Sequence, residues 1–164
     1  MRKLIAFVLA SLCISVMFLS PVSAKEIPTN EACVIVNGKQ MKIVRMFDDS
    51  SQLLEEMQPV VIAQTRDRVT AQRAYHHRNS SGTILWTATV TGTFTYNGST
   101  SSCTSASYST QVNNSTWSEQ SGNAYPSGNT AIADVVMMRK LLFIVVETVP
   151  VTVSLTCDKN GNLS

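Results

Sequence analysis

The sequence predicts an exported, mainly β protein: an antiparallel β-sandwich with a short helical segment near its N-terminus. Three observations carry that expectation. An apolar leader ends in small residues, strict period-two alternation runs through 84–96, and a second alternating stretch fills 141–157.

The leader comes first. Arg2 and Lys3 precede an almost wholly apolar run from Leu4 to Leu19, Pro21 breaks it, and Val22-Ser23-Ala24 offers small residues for cleavage. That order is the one a secretory signal peptide uses, and the run is shorter than the ~20 residues a membrane-spanning helix needs. Lipid attachment at Cys13 fits less well, because Leu12 stands where a small residue is required. The expectation is a secreted, extracellular chain cut after Ala24. Removing Arg2 and Lys3 leaves 11 basic against 11 acidic residues over 25–164. A nucleic-acid or anionic-membrane partner calls for a basic excess, so neither is expected from charge.

Composition divides the rest near Ser80 into a charged, mixed lead-in over 25–80 and a Thr/Ser/Val-rich β-sandwich domain over 81–164. In the lead-in, Cys33–Val36 reads as a short strand, Asn37-Gly38 as a two-residue turn, and Gln40–Phe47 as the returning strand. Asp48 to Ser51 supplies N-cap candidates for a short helix that puts Leu53, Leu54 and Met57 on one face and ends at Pro59. Residues 60–75 fit either a helix or a strand with a polar loop. Arg66 to Arg78, which includes His76-His77, reads as a solvated linker or a propeptide-like lead-in.

The second part is clearer. Ile84, Trp86, Ala88, Val90, Gly92, Phe94 and Tyr96 alternate with Thr87, Thr89, Thr91, Thr93 and Thr95. Period two puts the apolar set on one face of a strand and the threonines on the other. Gly92 in mid-strand points to a bend, a bulge or a close backbone approach. Asn97-Gly98 then turns the chain into a serine-rich strand from Cys103 to Val112, and 118–129 reads as a loop from its glycines, asparagines and Pro126. Thr130–Met138 is the next strand, with a turn at Arg139-Lys140. Leu141 to Cys157 then holds one apolar parity, interrupted by Glu147, as one bent strand or as two meeting at Pro150. Residues 141–149 are apolar on both parities, as a strand covered on both faces would be.

Cleavage after Ala24 would leave Cys33, Cys103 and Cys157 in a compartment that permits disulfides. Cys103 begins one strand and Cys157 ends another, so those two are the favoured pair, and a loop that long is worth on the order of 4 kcal/mol when closed. Cys33 with either of them is the alternative. No close cysteine pair exists and His76-His77 are adjacent, so no metal is expected. The two histidines are the only imidazole bases, yet no Gly-x-Ser-x-Gly elbow or phosphate-binding glycine loop accompanies them. No catalytic residue and no cofactor are expected. Glu147 reads as a rim position or, if buried, as a charge needing Arg139 or Lys140. Trp86 has core parity, whereas Trp117, between Asn113-Asn114 and the polar stretch, reads as the exposed contact. Sequons begin at Asn79, Asn97, Asn114 and Asn162 and matter only in a eukaryotic secretory pathway.

The segment TVTGTFTYNGSTSSCTS, the Asn114-to-Trp117 stretch and the closing strand Val151–Cys157 resemble small secreted β-rich proteins of Gram-positive bacteria. The resemblance spans 87–164. It implies export and the Cys103–Cys157 pairing, and it carries no activity or binding residue with it. The functional expectation is a non-catalytic binding or interaction module at or outside the cell surface. Its ligand would be a cell-surface glycan or a protein, met through Trp117, Asn114 and Tyr125. The second reading is a membrane-active, bacteriocin-like toxin that uses the Thr-rich hairpin 84–112.

Overall fold

The computed structural model describes residues 32–164; the leader and its cleavage site lie outside the described residues. Among the described residues, ten strands form two antiparallel sheets. The larger is built from β1 (Cys33–Val36), β2 (Lys39–Met46), β3 (Gln52–Glu56), β4 (Val60–Gln64), β5 (Arg68–Arg78), β6 (Ile84–Tyr96) and β7 (Ser101–Val112). Its order is β1-β2-β3-β5-β6-β7, and β4 shares the β3 side of β5. The smaller sheet has the order β10-β9-β8, from β8 (Trp117–Ser127), β9 (Thr130–Leu141) and β10 (Ile144–Thr156).

The alternation of β6 holds from Trp86 to Tyr96, whereas a register shift at the start of the strand turns Ile84 to the second face and Leu85 to the core. Trp86, Ala88, Val90 and Phe94 are buried, and the threonines between them face away from the core. A side chain at Gly92 would overlap the Phe94 ring and the Ala131 methyl, so the glycine there serves close approach of the two sheets. Across the core, Ala131, Ala133, Val135 and Met137 of β9 join Val149, Val151, Val153 and Leu155 of β10. Leu53, Val69 and Ala71 join the same core, so residues read as a lead-in supply strands to the sheet that holds β6 and β7. On the opposite face of that sheet, Val36, Met41 and Leu54 form a second, smaller cluster.

Several expectations are corrected. Among the described residues no helix occurs, and the segment read as a short helix is strand β3. Leu53 enters the main core and Leu54 the second cluster, so consecutive leucines serve opposite faces as only a strand allows. The expected linker is β5, a central strand paired on both sides. The expected loop 118–129 is β8, where Pro126 is tolerated because β8 pairs with β9 alone in its sheet. Arg139 and Lys140 do not turn; they stay on the ladder opposite Glu147 and Val145. The reversal comes at Leu142-Phe143, and β10 then runs unbroken through Pro150, an edge-strand position.

Candidate functional site

The β9–β10 hairpin ends in Leu141-Leu142-Phe143-Ile144-Val145-Val146, all of them exposed. Leu142 is 90 % and Phe143 99 % exposed. Leu141 pairs with Ile144, so the turn has two residues, with φ of 48° at Leu142 and 70° at Phe143. Positive φ at both central positions is the type I′ pattern, which normally takes Asn and Gly. For side-chain-bearing residues the left-handed region costs about 1–2 kcal/mol each. Of the stretch 141–149 expected to be covered on both faces, residues 141–146 are bare, while Val149 is buried in the core.

At the hairpin's base the chain becomes polar. Arg139 Nε lies 3.2 Å from Glu147 Oε2 across the ladder. Burial pushes the Glu147 carboxyl up, Arg139 pulls it back down, and Asp49 adds repulsion. Beside this pair, a cleft of about 520 Å³ separates the hairpin base from Phe47–Asp49, the segment that follows β2. Arg45, Asp48 and Asp49 line one side, and Val146, Val149 and Pro150 the other. Beneath Phe47 sits His77, 1 % exposed, with ring centroids 5.0 Å apart. His77 stacks on Trp86 at 5.1 Å and meets Trp117 at 5.1 Å, so four rings close that end of the core. Burial drives the His77 imidazole down to about 4, with Asp49 opposing and Arg139 adding to the effect.

The residues expected to make a contact surface do not converge. Trp117 is only 4 % exposed and belongs to this ring cluster. Tyr125 lies eight residues further along β8, roughly 26 Å at strand rise. It is exposed, and its hydroxyl donates to Asp134 Oδ2 at 3.1 Å. A bulge between Glu119 and Ser121 shifts the register of the strand that carries both rings. The Asn114 side chain accepts from the Thr116 backbone N–H at 2.9 Å and from its hydroxyl, which shapes the turn into β8.

His76 and His77 are not on a solvated linker: both are buried, on opposite faces of β5. His76 Nδ1 is 2.9 Å from Thr87 Oγ1, and its Nε2 is 3.4 Å from Glu56, which Lys39 holds more closely at 2.8 Å. Hydroxyl, imidazole and carboxylate thus stand in a row on three neighbouring strands. Thr87 sits in the middle of two ladders, opposite His76 and Gln111, a setting in which the surrounding backbone donors serve the sheet rather than an oxyanion. The row acts as a polar clamp across β3, β5 and β6.

The expected Cys103–Cys157 cross-link is not formed; Cys33, Cys103 and Cys157 are free thiols. Cys103 and Cys157 do lie at one end of the core, their N–H groups donating to the neighbouring carbonyls of Gly128 and Asn129. Each sulfur is turned toward a backbone carbonyl, Cys103 toward Ser105 at 3.3 Å and Cys157 toward Asp158 at 3.4 Å. Burial raises both thiol pKa values, and for Cys157 the nearby Asp158 and Cys103 add to it.

Sequence reasoning missed the hairpin tip as a surface. The signal was present: six consecutive apolar residues with no turn former, bounded by Lys140 and Glu147. Comparison with known proteins returns nothing: no family model, no curated protein and no solved structure matches this chain.

Proposed function

We propose that the chain is an exported, non-catalytic interaction module that meets its partner with the β9–β10 tip. One observation carries this reading: Leu142 and Phe143 are almost fully exposed in a backbone conformation that favours Asn and Gly. Leaving two such side chains in water forgoes roughly 1.5–3 kcal/mol each, on top of the turn strain. A local arrangement that disfavours folding at this level marks a site used for something other than folding. The rest of the molecule supports a rigid mount. The tip grows from a β10 whose inner face is anchored by Val149, Val151, Val153 and Leu155. The contact surface thereby moves from Trp117, Asn114 and Tyr125 to the tip. The Thr-rich hairpin keeps its apolar face against the smaller sheet in this fold.

The test places a photo-reactive benzophenone side chain at position 143 in the secreted protein, and at Thr152, on the outer face of β10, as the control. Ultraviolet irradiation of the producing culture should give adducts from position 143 and few from 152. Equal yields from the two positions would remove the tip from the account. Intact mass of the recovered protein tests the export step, with a chain starting at Lys25 expected.

A further inference from the structure

The partner of the tip has a chemistry that the tip itself describes, and this inference rests on the interaction-module reading. We propose that the tip inserts into the interfacial layer of a lipid bilayer, with no preference for anionic lipid.

The hairpin is apolar on both faces. Leu141 and Ile144, paired across the ladder, share one face, Val145 lies on the other opposite Lys140, and Leu142 and Phe143 cap the end. A flat protein partner covers one face of a ribbon, whereas acyl chains surround both. Exposure rises from 43 % at Val146 to 99 % at Phe143, so the element is a protruding wedge rather than a groove. Charge begins where the wedge ends: exposed Lys140 stands opposite Val145, with the Arg139–Glu147 pair beyond it. From that rung to the turn is about three residues, or roughly 10 Å at strand rise. That matches the ~5–10 Å to which interfacial elements bury their apolar face. The ladder continues up to Leu141 and Ile144, so the backbone groups that face across the ribbon enter paired, while those on its outer edges are left to bond water and headgroups in the interfacial layer.

A second copy of the chain fits this surface less well. The free edge of β10 carries Pro150, which cannot donate to a new ladder, and the Glu147 charge at the hairpin base. The charges around the base balance in sign: Lys140, Arg139 and Arg45 against Glu147, Asp48 and Asp49. Apolar insertion, not attraction to anionic headgroups, therefore supplies the binding. One wedge of this size should bind weakly and reversibly, in the range of a single acyl anchor, near ~10⁴ M⁻¹.

The experiment uses the processed, secreted protein with phosphatidylcholine vesicles, alone and with added phosphatidylserine. Phe143→Trp adds an exposed indole to the buried Trp86 and Trp117. The new indole should shift to the blue with vesicles and be quenched by lipids brominated on the acyl chain. Wild type should float with vesicles of both compositions, changing less than about threefold between them and little with salt. Leu142→Asn with Phe143→Gly should lose at least ~100-fold in partition, the loss expected for two large apolar side chains, while its melting curve shows it folded. Unshifted emission, or equal flotation of this variant and wild type, would overturn the lipid proposal. So would a strict requirement for phosphatidylserine. If lipid binding fails while light scattering shows self-association that the variant abolishes, the interaction module stands with a second copy as its partner. If the benzophenone at 143 also gives no adduct above the Thr152 control, both readings fall.

Discussion

Two hairpins of this molecule use the same turn geometry with opposite chemistry. Between β1 and β2, Asn37 and Gly38 take φ of 52° and 77°; between β9 and β10, Leu142 and Phe143 take 48° and 70°. Asn-Gly suits that backbone and Leu-Phe resists it. The first turn is therefore explained by folding alone. The second is not, and that difference is the support for the contact surface proposed at the β9–β10 tip. The contrast continues beneath the hairpins. His76 serves the face of the first, clamped between Thr87 and a Glu56 shared with Lys39. His77, the next residue, lies under the cleft at the base of the second, stacked among Phe47, Trp86 and Trp117.

The largest effect that separates the two histidines is expected from pH. An unfolded histidine titrates near ~6.5, and burial lowers folded His77 to about 4. As pH falls through that window the unfolded chain takes up a proton that folded His77 refuses. Stability is full above ~6.5, falls by about 3 kcal/mol as pH drops to ~4, and then levels off. Urea midpoints at pH 7 and 4.5 measure it, and His77→Phe should flatten the slope. His76→Phe should flatten it less, because Glu56 opposes the burial that lowers His76. An unchanged slope in His77→Phe would break this half of the comparison.

Exchanging the turns sharpens the comparison directly. Leu142→Asn with Phe143→Gly should raise the unfolding free energy by about 2 kcal/mol. Asn37→Leu with Gly38→Phe should lower it by a similar amount. Denaturant titration decides, and a destabilised Leu142/Phe143 variant would mean that the tip carries no strain. A smaller difference is expected between the ion pairs. Arg139→Met strands a half-buried Glu147 and should cost about 1–2 kcal/mol, and Lys39→Met, which leaves the more buried Glu56 with only His76 beside it, should cost at least as much. The smallest effect concerns the thiols. Iodoacetamide should label exposed Cys33 in the native protein, with no measurable change in stability, and should reach Cys103 and Cys157 only on unfolding. Mass analysis before and after denaturation reads this out.

Legibility in the sequence followed how much of the structural cause was local. The β1–β2 hairpin was readable because Asn37-Gly38 states its own turn. β6 was readable because Trp86 to Tyr96 alternate with threonine without a break. β8 was hidden because an edge strand tolerates Pro126 and small polar residues that otherwise mark loops. β3 was hidden because Leu53 and Leu54 face different clusters, which a one-face helical reading cannot represent. The polar run before His76-His77 suggested solvent, yet the burial of both rings depends on Glu56 and Trp86, residues from other strands. The tip was misread for a related reason. An apolar stretch on both parities announces that it needs cover, and only the sheet order shows that no strand of the described chain supplies it.

The most direct test of the central claim is the thermal unfolding of wild type and of Leu142→Asn/Phe143→Gly, each with and without phosphatidylcholine vesicles. A partner that binds only the folded state raises the transition by mass action. The wild-type transition should start lower and rise with lipid, while that of the variant should start higher and stay fixed. An equal rise in both proteins, or none in wild type, would contradict the claim that the strained apolar turn is kept for contact with lipid.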